Sequence, residues 1–297
     1  MNIRFRVQAR LKRFVLPLIV AGAVAELVSA CSLGTMRSDP DELLQQAISG
    51  LSGTDDFRFT GTTNVSVGDY PMQKGTTFVG TVTGHNRLAM KVADDTAAGA
   101  GHLASAGVGT AGQEAVYSKR NDRWVAADSE TGAARASGML LPWSPLYKLE
   151  QLNETEKTVQ SAKDGANSRL TVLTVVPDAR SATEQERQLL AAQAEQLDTN
   201  KQLGELQHQL GLSERQAALL RSELEQNVQK AKRLVDQAND SIQAASVYRI
   251  WIDRISRLPQ KMEVETKLEY VLDGQPKQET TRIDYTFTDF QKQAGGT

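Results

Sequence analysis

The amino-acid sequence predicts an α+β fold: a curved antiparallel sheet, or half-barrel, with covering helices and a long inserted antiparallel helical hairpin. Three observations support this prediction. Short segments rich in Val, Thr and Phe alternate apolar with polar residues, which is the pattern of strands buried on one face. Turn signals separate most of these segments, so neighbouring strands are expected to pair antiparallel. Residues 183–245 then interrupt the strands with a run that contains no proline and is rich in Gln, Glu, Ala and Leu.

The first 30 residues have the organisation of a secretory signal peptide. Five basic residues lie between Arg4 and Arg13, and an apolar stretch of about 15 residues follows. A helix needs about 20 apolar residues to span a bilayer, so this stretch is short for a membrane span. We therefore expect residues 1–30 to be removed on export and residues 31–38 to form a polar tether. The alternative is a retained signal anchor.

The end of this segment predicts lipidation. Val28, Ser29 and Ala30 precede Cys31, and the four residues resemble the bacterial lipobox, in which the signal is cut before a cysteine that carries a diacylglyceryl group. Cys31 is also the only cysteine of the chain, so no internal disulfide can form. The sequence thus predicts an outward-facing lipoprotein of the cell membrane, or of the outer membrane where the organism has one.

The charge of the exported part argues against two classes of partner. The whole chain has a formal net charge of −2, from 34 basic and 36 acidic residues. Residues 1–30 hold five of the basic and one of the acidic residues, so the remainder carries a net charge of −6. An acidic surface suits neither nucleic acid nor charge-driven binding to an anionic membrane. Attachment to the membrane is therefore expected through the N-terminal lipid anchor.

Residues 39–182 are predicted to begin with a helix and to continue mainly as strands. Asp39 is a helix-capping residue and Pro40 suits the first helical turn, and apolar residues follow at helical spacing. From Phe57 the apolar period changes to two. The predicted elements are a helix over 40–51, strands over 57–67, 76–82 and 87–92, a loop over 93–113, a hairpin that turns at Asn121-Asp122, a short helix around 146–152 and a strand over 169–176.

The insertion over residues 183–245 predicts two helices, at about 184–209 and 214–245. Patterns of the capping-box type begin at Thr183 and Ser213. In the second helix, small and apolar residues recur at alternating spacings of three and four, which predicts a coiled-coil seam. The seam residues, with one Asn as the polar position that would fix the register, are Ala217, Leu220, Leu224, Asn227, Ala231, Leu234, Ala238 and Ser241.

Residues 246–291 are predicted to complete the half-barrel domain of residues 39–182. Strands over 247–253 and 261–272 lead through a turn at Asp273-Gly274 to a last strand over 280–290. On one face Met262, Val264, Thr266, Leu268 and Tyr270 can oppose Ile283, Tyr285 and Phe287. For an apolar cavity between sheet and helices, the candidate lining residues are Phe57, Phe59, Phe78, Trp124, Trp251 and Tyr270.

This order of elements resembles the outer-membrane-lipoprotein-carrier-like fold, in which helices close a curved antiparallel half-barrel over an apolar cavity. The resemblance rests on DPDELLQQAISGL with FRFTGTTNVSV, on VYSKRNDRWV, and on YRIWIDRISRLPQKMEVETKL. It covers residues 39–180 and 246–291 and includes no catalytic motif, while the helical insertion departs from it. Such lipoproteins include mycobacterial glycolipid carriers, so the resemblance implies binding of a lipid or another apolar ligand.

The sequence contains neither a catalytic motif nor metal-ligand spacing. His85, His102 and His208 lie in three separate segments, and HExxH, G-x-S-x-G, Walker and G-x-G-x-x-G motifs are absent. Asp253 at a predicted strand end is expected to be a turn residue. We therefore expect a protein that is not an enzyme and that uses no cofactor and no metal.

Two functional hypotheses follow. The first is a membrane-anchored extracytoplasmic lipoprotein that binds an apolar ligand or lipid in a cavity between sheet and helices. The alternative is an interaction or scaffold lipoprotein, in which residues 214–245 bind a protein partner or a second copy of the chain. Neither hypothesis involves nucleic acid.

Overall fold

The computed structural model describes residues 39–68, 75–93, 114–127, 140–195, 199–200, 203–204, 207, 211 and 213–291. The described elements belong to one compact unit, Pro40–Thr297. The predicted signal peptide with Val28, Ser29 and Ala30, the lipidation site Cys31 and the tether lie outside the described residues. These therefore stay predictions.

The described part contains a helix, seven strands with one short helix between them, two further helices, and three last strands. A 3-10 turn at Leu141–Trp143 precedes the second helix. The bounds are α1 Pro40–Ser52, β1 Asp56–Val67, β2 Thr76–Thr83, β3 Arg87–Val92, β4 Ala115–Arg120, β5 Arg123–Ala126, α2 Pro145–Glu154, β6 Lys157–Lys163, β7 Leu170–Pro177, α3 Ala179–Glu195, α4 Glu214–Ser241, β8 Gln243–Asp253, β9 Pro259–Leu272 and β10 Gln275–Gln291.

All ten of these strands form a single open, curved antiparallel sheet in the order β5-β4-β3-β2-β1-β10-β9-β8-β7-β6. The first and last strands along the chain meet at the centre, where Phe59 lies opposite Phe287. The helical insertion leaves the sheet continuous, because β7 before it pairs directly with β8 after it, as at Leu173 and Ile250. The predicted α+β half-barrel class is confirmed.

The inner face of the sheet and the helices share one hydrophobic core. All five apolar residues at helical spacing in α1 are buried: Leu43, Leu44, Ala47, Ile48 and Leu51. In the sheet, Met262 lies opposite Tyr285 and Val264 opposite Ile283, and these four side chains are buried as their alternation predicted. The predicted turns at Asn121-Asp122 and Asp273-Gly274 have positive φ at both residues, as tight hairpins require.

The helices of the insertion have different bounds from those predicted. The helix α3 begins at Ala179, five residues earlier, because Asp178 Oδ2 accepts the backbone N–H of Ser181 at 3.1 Å. Thr183 Oγ1, the expected cap, accepts the backbone N–H of Ala244 at 2.9 Å instead. The predicted capping box of Ser213 and Gln216 is present, but α4 ends at Ser241, and β8 starts at Gln243.

The predicted seam of α4 is wrong at its polar position. Asn227 is exposed, and the buried residues of α4 are Ala217, Val228 and Ala238. Ala217 and Ala238 belong to the predicted seam and lie 21 residues apart, which is three heptads, but the buried residue between them is Val228 and not the predicted Asn227. The physical reason is that α4 packs on β9 as well as on α3, and α3 packs on β8. The insertion therefore covers the sheet.

In the described ranges, no helix has the length and the hydropathy needed to cross a membrane.

Candidate functional site

Three of the six candidate lining residues fill the interior between sheet and helices. Phe57, Phe59 and Phe78 are each 0–1% exposed and belong to the core. The Phe78 ring lies 5.5 Å from that of Trp143 and 6.0 Å from that of Tyr285, centroid to centroid. Because these rings pack against one another, this part of the interior is occupied by the protein's own side chains.

The other three candidates lie in three different places. Trp124 is half-buried at the end of the core formed by α1 and α2. Trp251 lies on the outer face of the sheet, where Lys261 Nζ is 4.7 Å from its ring centroid. Tyr270 lies on the inner face near the turn between β9 and β10. The structure therefore does not bring the six residues to one common space.

A groove of about 420 Å³ opens beside Trp124. It lies where the end of α1 and the helix α2 meet the β2–β3 and β4–β5 turns. A neighbouring groove of about 580 Å³ continues between α1 and α2 and shares Ser52, Lys119, Asp122 and Glu150 with the first. We call these two connected spaces the end groove. Its first part is lined by Leu51, Ser52, Val82, His85, Asn86, Lys119, Asn121, Asp122, Trp124, Leu146 and Glu150.

Glu150 organises the charged side of the end groove. Lys119 Nζ lies 3.0 Å from Glu150 Oε1, and the indole Nε1–H of Trp124 donates to Glu150 Oε2 at 2.9 Å. The carboxylate thus ties α2 to the β4–β5 hairpin and uses both its oxygens. Side chains of Leu51, Val82 and Leu146 provide apolar walls. The end groove therefore combines apolar surface with a fixed pair of opposite charges.

Sequence reasoning found Trp124 but missed Lys119 and Glu150. Glu150 lies 26 residues from Trp124, on a different element, and a single charged residue on an amphipathic helix is normally solvated. A weak signal was present, because a tryptophan at a hairpin turn leaves its indole N–H in need of an acceptor.

Asp253 has the turn role that its position suggested. Its Oδ1 accepts the backbone N–H groups of Ile255 and Ser256, both at 2.9 Å, and Arg169 Nε donates to Oδ2. Burial by itself raises the pKa of Asp253, but the donors from Ser256, Arg169 and Ile255 outweigh it and lower the pKa below its ordinary value. The side chain therefore shapes the turn between β8 and β9.

The described residues contain no group of three or more His, Cys, Asp or Glu side chains arranged to hold a metal ion. His85 lies in the β2–β3 turn, with Nδ1 3.1 Å from Asp55 Oδ1. His102 and His208 lie outside the described residues.

The comparisons with known proteins concern the fold. No model of a protein family matches the chain, and no curated protein matches its sequence. The chain is similar to a LolA superfamily protein from Nitrosomonas europaea, with 9% identity, a TM-score of 0.24, and coverage of 87% of this chain and 97% of that one.

Two further solved structures are similar to this chain. LprF from Mycobacterium bovis has 10% identity and a TM-score of 0.27, over 87% of this chain and 94% of that one. An outer-membrane lipoprotein-sorting protein domain from Vibrio parahaemolyticus has 8% identity and a TM-score of 0.24, over 87% and 95%. At these identities and scores the similarity says nothing of function, which has to come from this chain's own residues.

Proposed function

We propose that this chain is an exported lipoprotein of the bacterial envelope, anchored through acylated Cys31, that binds a lipid or another amphipathic ligand and catalyses no reaction. The observation that carries the proposal is the end groove. Its first part, at about 420 Å³, falls within the range of about 300–1,000 Å³ typical of small-molecule sites. An apolar wall next to fixed charges is what an amphipathic molecule needs.

The chemistry of the end groove favours a particular orientation of the ligand. The apolar part would contact Leu51, Val82 and Leu146, which are continuous with the hydrophobic core. The polar part would lie at Lys119 and Glu150, whose opposite charges suit a zwitterionic or hydroxylated head group. Because aromatic rings fill the interior near Phe78, we place the ligand at this groove instead of deep beneath the sheet.

Mass spectrometry of the mature protein, extracted gently from membranes, tests both halves of the proposal. We expect an acylated N-terminus at Cys31 and a co-purifying lipid in the native spectrum. A protein without any bound lipid, which also fails to bind added lysophospholipid, would contradict the ligand-binding half.

Ser52→Trp tests the end groove directly. Ser52 is exposed and lines both parts of the groove, so an indole at this position should fill the space without disturbing the core. In the full chain we expect the affinity for a fluorescent lysophospholipid to fall by about tenfold, the loss of roughly 1.4 kcal/mol of binding free energy. Fluorescence anisotropy measures this change.

Ser222→Trp is the matched control, since Ser222 is an exposed residue of α4 away from the groove. It should bind as the unchanged chain does. Equal affinity of the Ser52→Trp and Ser222→Trp variants would place the ligand elsewhere.

A second candidate function is interaction through α4, and one observation favours it. Leu219 is 75% exposed, and its neighbour Leu220 is 36% exposed, near the start of a helix that is otherwise polar on its outer side. Exposed leucines at the tip of a helical insertion provide apolar contact area for a second copy of this chain. In this version of the proposal the protein is a self-associating scaffold.

Leu219→Gln tests the second candidate. If α4 pairs with a second copy, sedimentation velocity of the full chain in detergent should show a dimer that the variant converts to a monomer. Ile255→Gln is the control, because Ile255 is 78% exposed but lies in the β8–β9 turn. A monomer before any substitution would rule out self-association through α4.

A further inference from the structure

Two neighbouring turns of the sheet are bonded into one unit. The β6–β7 turn ends at Arg169, whose side chain forms an ion pair with Asp253 at the end of β8. The backbone N–H of Arg254 donates to the carbonyl oxygen of Arg169 at 3.0 Å, and its guanidinium group donates to the carbonyl oxygen of Ser168 at 3.3 Å. We call residues 163–169 and 253–258, which these contacts hold together, the basic tip.

The basic tip presents Ile255 to solvent on an ordered backbone. Asp253 Oδ1 accepts the backbone N–H groups of Ile255 and Ser256, and the backbone N–H of Arg257 donates to the carbonyl oxygen of Asp253, each at 2.9 Å. Ile255 is 78% exposed, the largest exposed fraction among the large apolar residues that the structure describes. Since a single exposed isoleucine is ordinary on a protein surface, the residues around it decide what it means.

The residues around Ile255 are mainly basic. The basic tip contains four basic and two acidic residues, which are Lys163, Arg169, Arg254 and Arg257, and Asp164 and Asp253. Asp253 is buried and already paired with Arg169, whereas neither Arg254 nor Arg257 forms a salt bridge with a described residue. The chain after Ala30 carries a net charge of −6, so this excess of positive charge is a local reversal.

The backbone at Arg257 shows that the turn alone does not account for its side chain. Arg257 has a φ of +61°, in the left-handed region that favours glycine and, after it, asparagine. The other positive-φ positions of the described chain hold Gly, Asn, Asp or His. A glycine or an asparagine would form the same turn at a lower cost in free energy. The arginine therefore calls for a reason outside the turn.

The outer face of the sheet continues this chemistry next to the basic tip. Trp251 near the end of β8 is half-buried, and Lys261 Nζ lies 4.7 Å from its ring centroid. Glu263, the next acidic residue on this face, is already paired with Lys261, Arg249 and Arg282. Tryptophan is enriched where proteins meet lipid head groups, and lysine can extend its charge from an apolar stem into water.

We propose that the basic tip docks on an anionic phospholipid surface, with Ile255 inserted between the head groups and Arg254 and Arg257 at the lipid phosphates. Guanidinium groups suit phosphate because two of their N–H groups can donate to it together. An apolar side chain flanked by basic residues is the combination that binds at the boundary between head groups and acyl chains. The proposal depends neither on acylation of Cys31 nor on a ligand in the end groove.

Docking in this way would bring the end groove towards the lipid surface. Leu258 of the basic tip packs on the last turns of α1, where a Cβ atom at Gly50 would lie 3.0 Å from Leu258 Cδ2. Leu51 and Ser52, the next residues of α1, line the end groove. The basic tip and the groove therefore lie at the same end of the half-barrel.

A fluorescent probe on the basic tip tests this proposal in the full chain. Cys31→Ser removes the only thiol, so Ile255→Cys in that chain takes a single nitrobenzoxadiazole (NBD) label. On vesicles of phosphatidylglycerol and phosphatidylcholine, the NBD emission should shift to the blue, and lipids with a nitroxide high in the acyl chain should quench it. Vesicles of phosphatidylcholine alone should give no shift, because their surface has no net negative charge.

Two charge variants of the labelled chain make the test specific. Arg254→Gln/Arg257→Gln should move the equilibrium between inserted and free tips about tenfold or more towards the free state, because two cations leave the contact. Lys267→Gln/Lys277→Gln is the matched control, since it removes two exposed cations from the parts of β9 and β10 nearer to the turn that joins them. This control should leave the equilibrium unchanged.

Three results would overturn the proposal. They are a label at residue 255 that stays in water on every vesicle, a blue shift of equal size on phosphatidylcholine alone, and a shift that survives Arg254→Gln/Arg257→Gln. The label moved to Val271→Cys, at the opposite end of β9, should remain in water, and an equal shift there would also contradict docking through the tip. The melting temperature of Arg254→Gln/Arg257→Gln should change by less than about 2 °C, because neither arginine is buried, and this separates lost docking from lost folding.

Discussion

Gly61→Ala should lower the free energy of unfolding by about 3 kcal/mol, because the new methyl group would overlap a ring that cannot move. A Cβ atom at residue 61 would lie 2.2 Å from Cζ of Phe78, which stands opposite Gly61 on the neighbouring strand. Phe78 is fully buried and is held by Trp143 and Tyr285. The melting temperature, followed by circular dichroism, should fall by about 6–12 °C for a domain of this size.

Two variants make this result specific. Gly165→Ala places the same methyl group where no atom lies within 4 Å, and should leave the melting temperature nearly unchanged. The double variant Gly61→Ala/Phe78→Leu should lose less unfolding free energy than the two single variants lose together, since the shorter side chain makes room for the methyl group. An unchanged melting temperature for Gly61→Ala would contradict the packing of Phe78 over the glycine.

The sheet was largely predictable from the sequence because its inner face requires a period of two. A slip of one residue would turn the whole apolar set to solvent, so alternation alone fixes which side chains of β9 and β10 face the core. The pairs Met262–Tyr285 and Val264–Ile283 follow from that rule. The edge strand β6 was missed because most of its residues are exposed and polar, and its pairing is provided by β7.

The insertion was only partly predictable because its helices pack on the sheet. Thr183 suits a local cap, but the tertiary contact with Ala244 uses its hydroxyl, and Asp178 takes the cap position earlier in the chain. Asn227 fits a seam between two equal helices, yet the sheet defines the buried side of α4 and selects Val228. Sequence periodicity predicts that a helix has an apolar face, but the element that packs against the helix determines which residues are buried.

The candidate sites were predictable in residue type but not in location. Aromatic residues on strands suggested a lined cavity, and the same alternation fits a packed core, which is where Phe57, Phe59 and Phe78 lie. The end groove depends on Lys119 and Glu150, whose ion pair joins a strand to a distant helix, and no local pattern encodes such a meeting.

Cys31→Ser should abolish fatty-acid labelling of the protein completely. The processed protein that is bound to the membrane by its acyl chains should then be absent. Each buried methylene of an acyl chain contributes about 0.8 kcal/mol, so two or more chains hold a protein firmly on a membrane. The part of the chain that follows Ala30 has a net charge of −6, which provides no attraction to anionic lipid. Without the Cys31 thiol, the diacylglyceryl group has no atom to which it can be attached.

The measurement is metabolic labelling with an alkyne fatty acid, combined with membrane fractionation and the mass of the N-terminal peptide. The unchanged chain should be labelled, processed at Cys31 and found in the membrane fraction. The Cys31→Ser chain should be unlabelled, either as a released processed protein or as a precursor that is held by its uncut apolar segment. Ser32→Ala changes the next residue and spares the thiol, so it should behave as the unchanged chain does. Labelling that survives in Cys31→Ser, or an unmodified thiol at Cys31 on a secreted soluble protein, would show that the lipobox is not used.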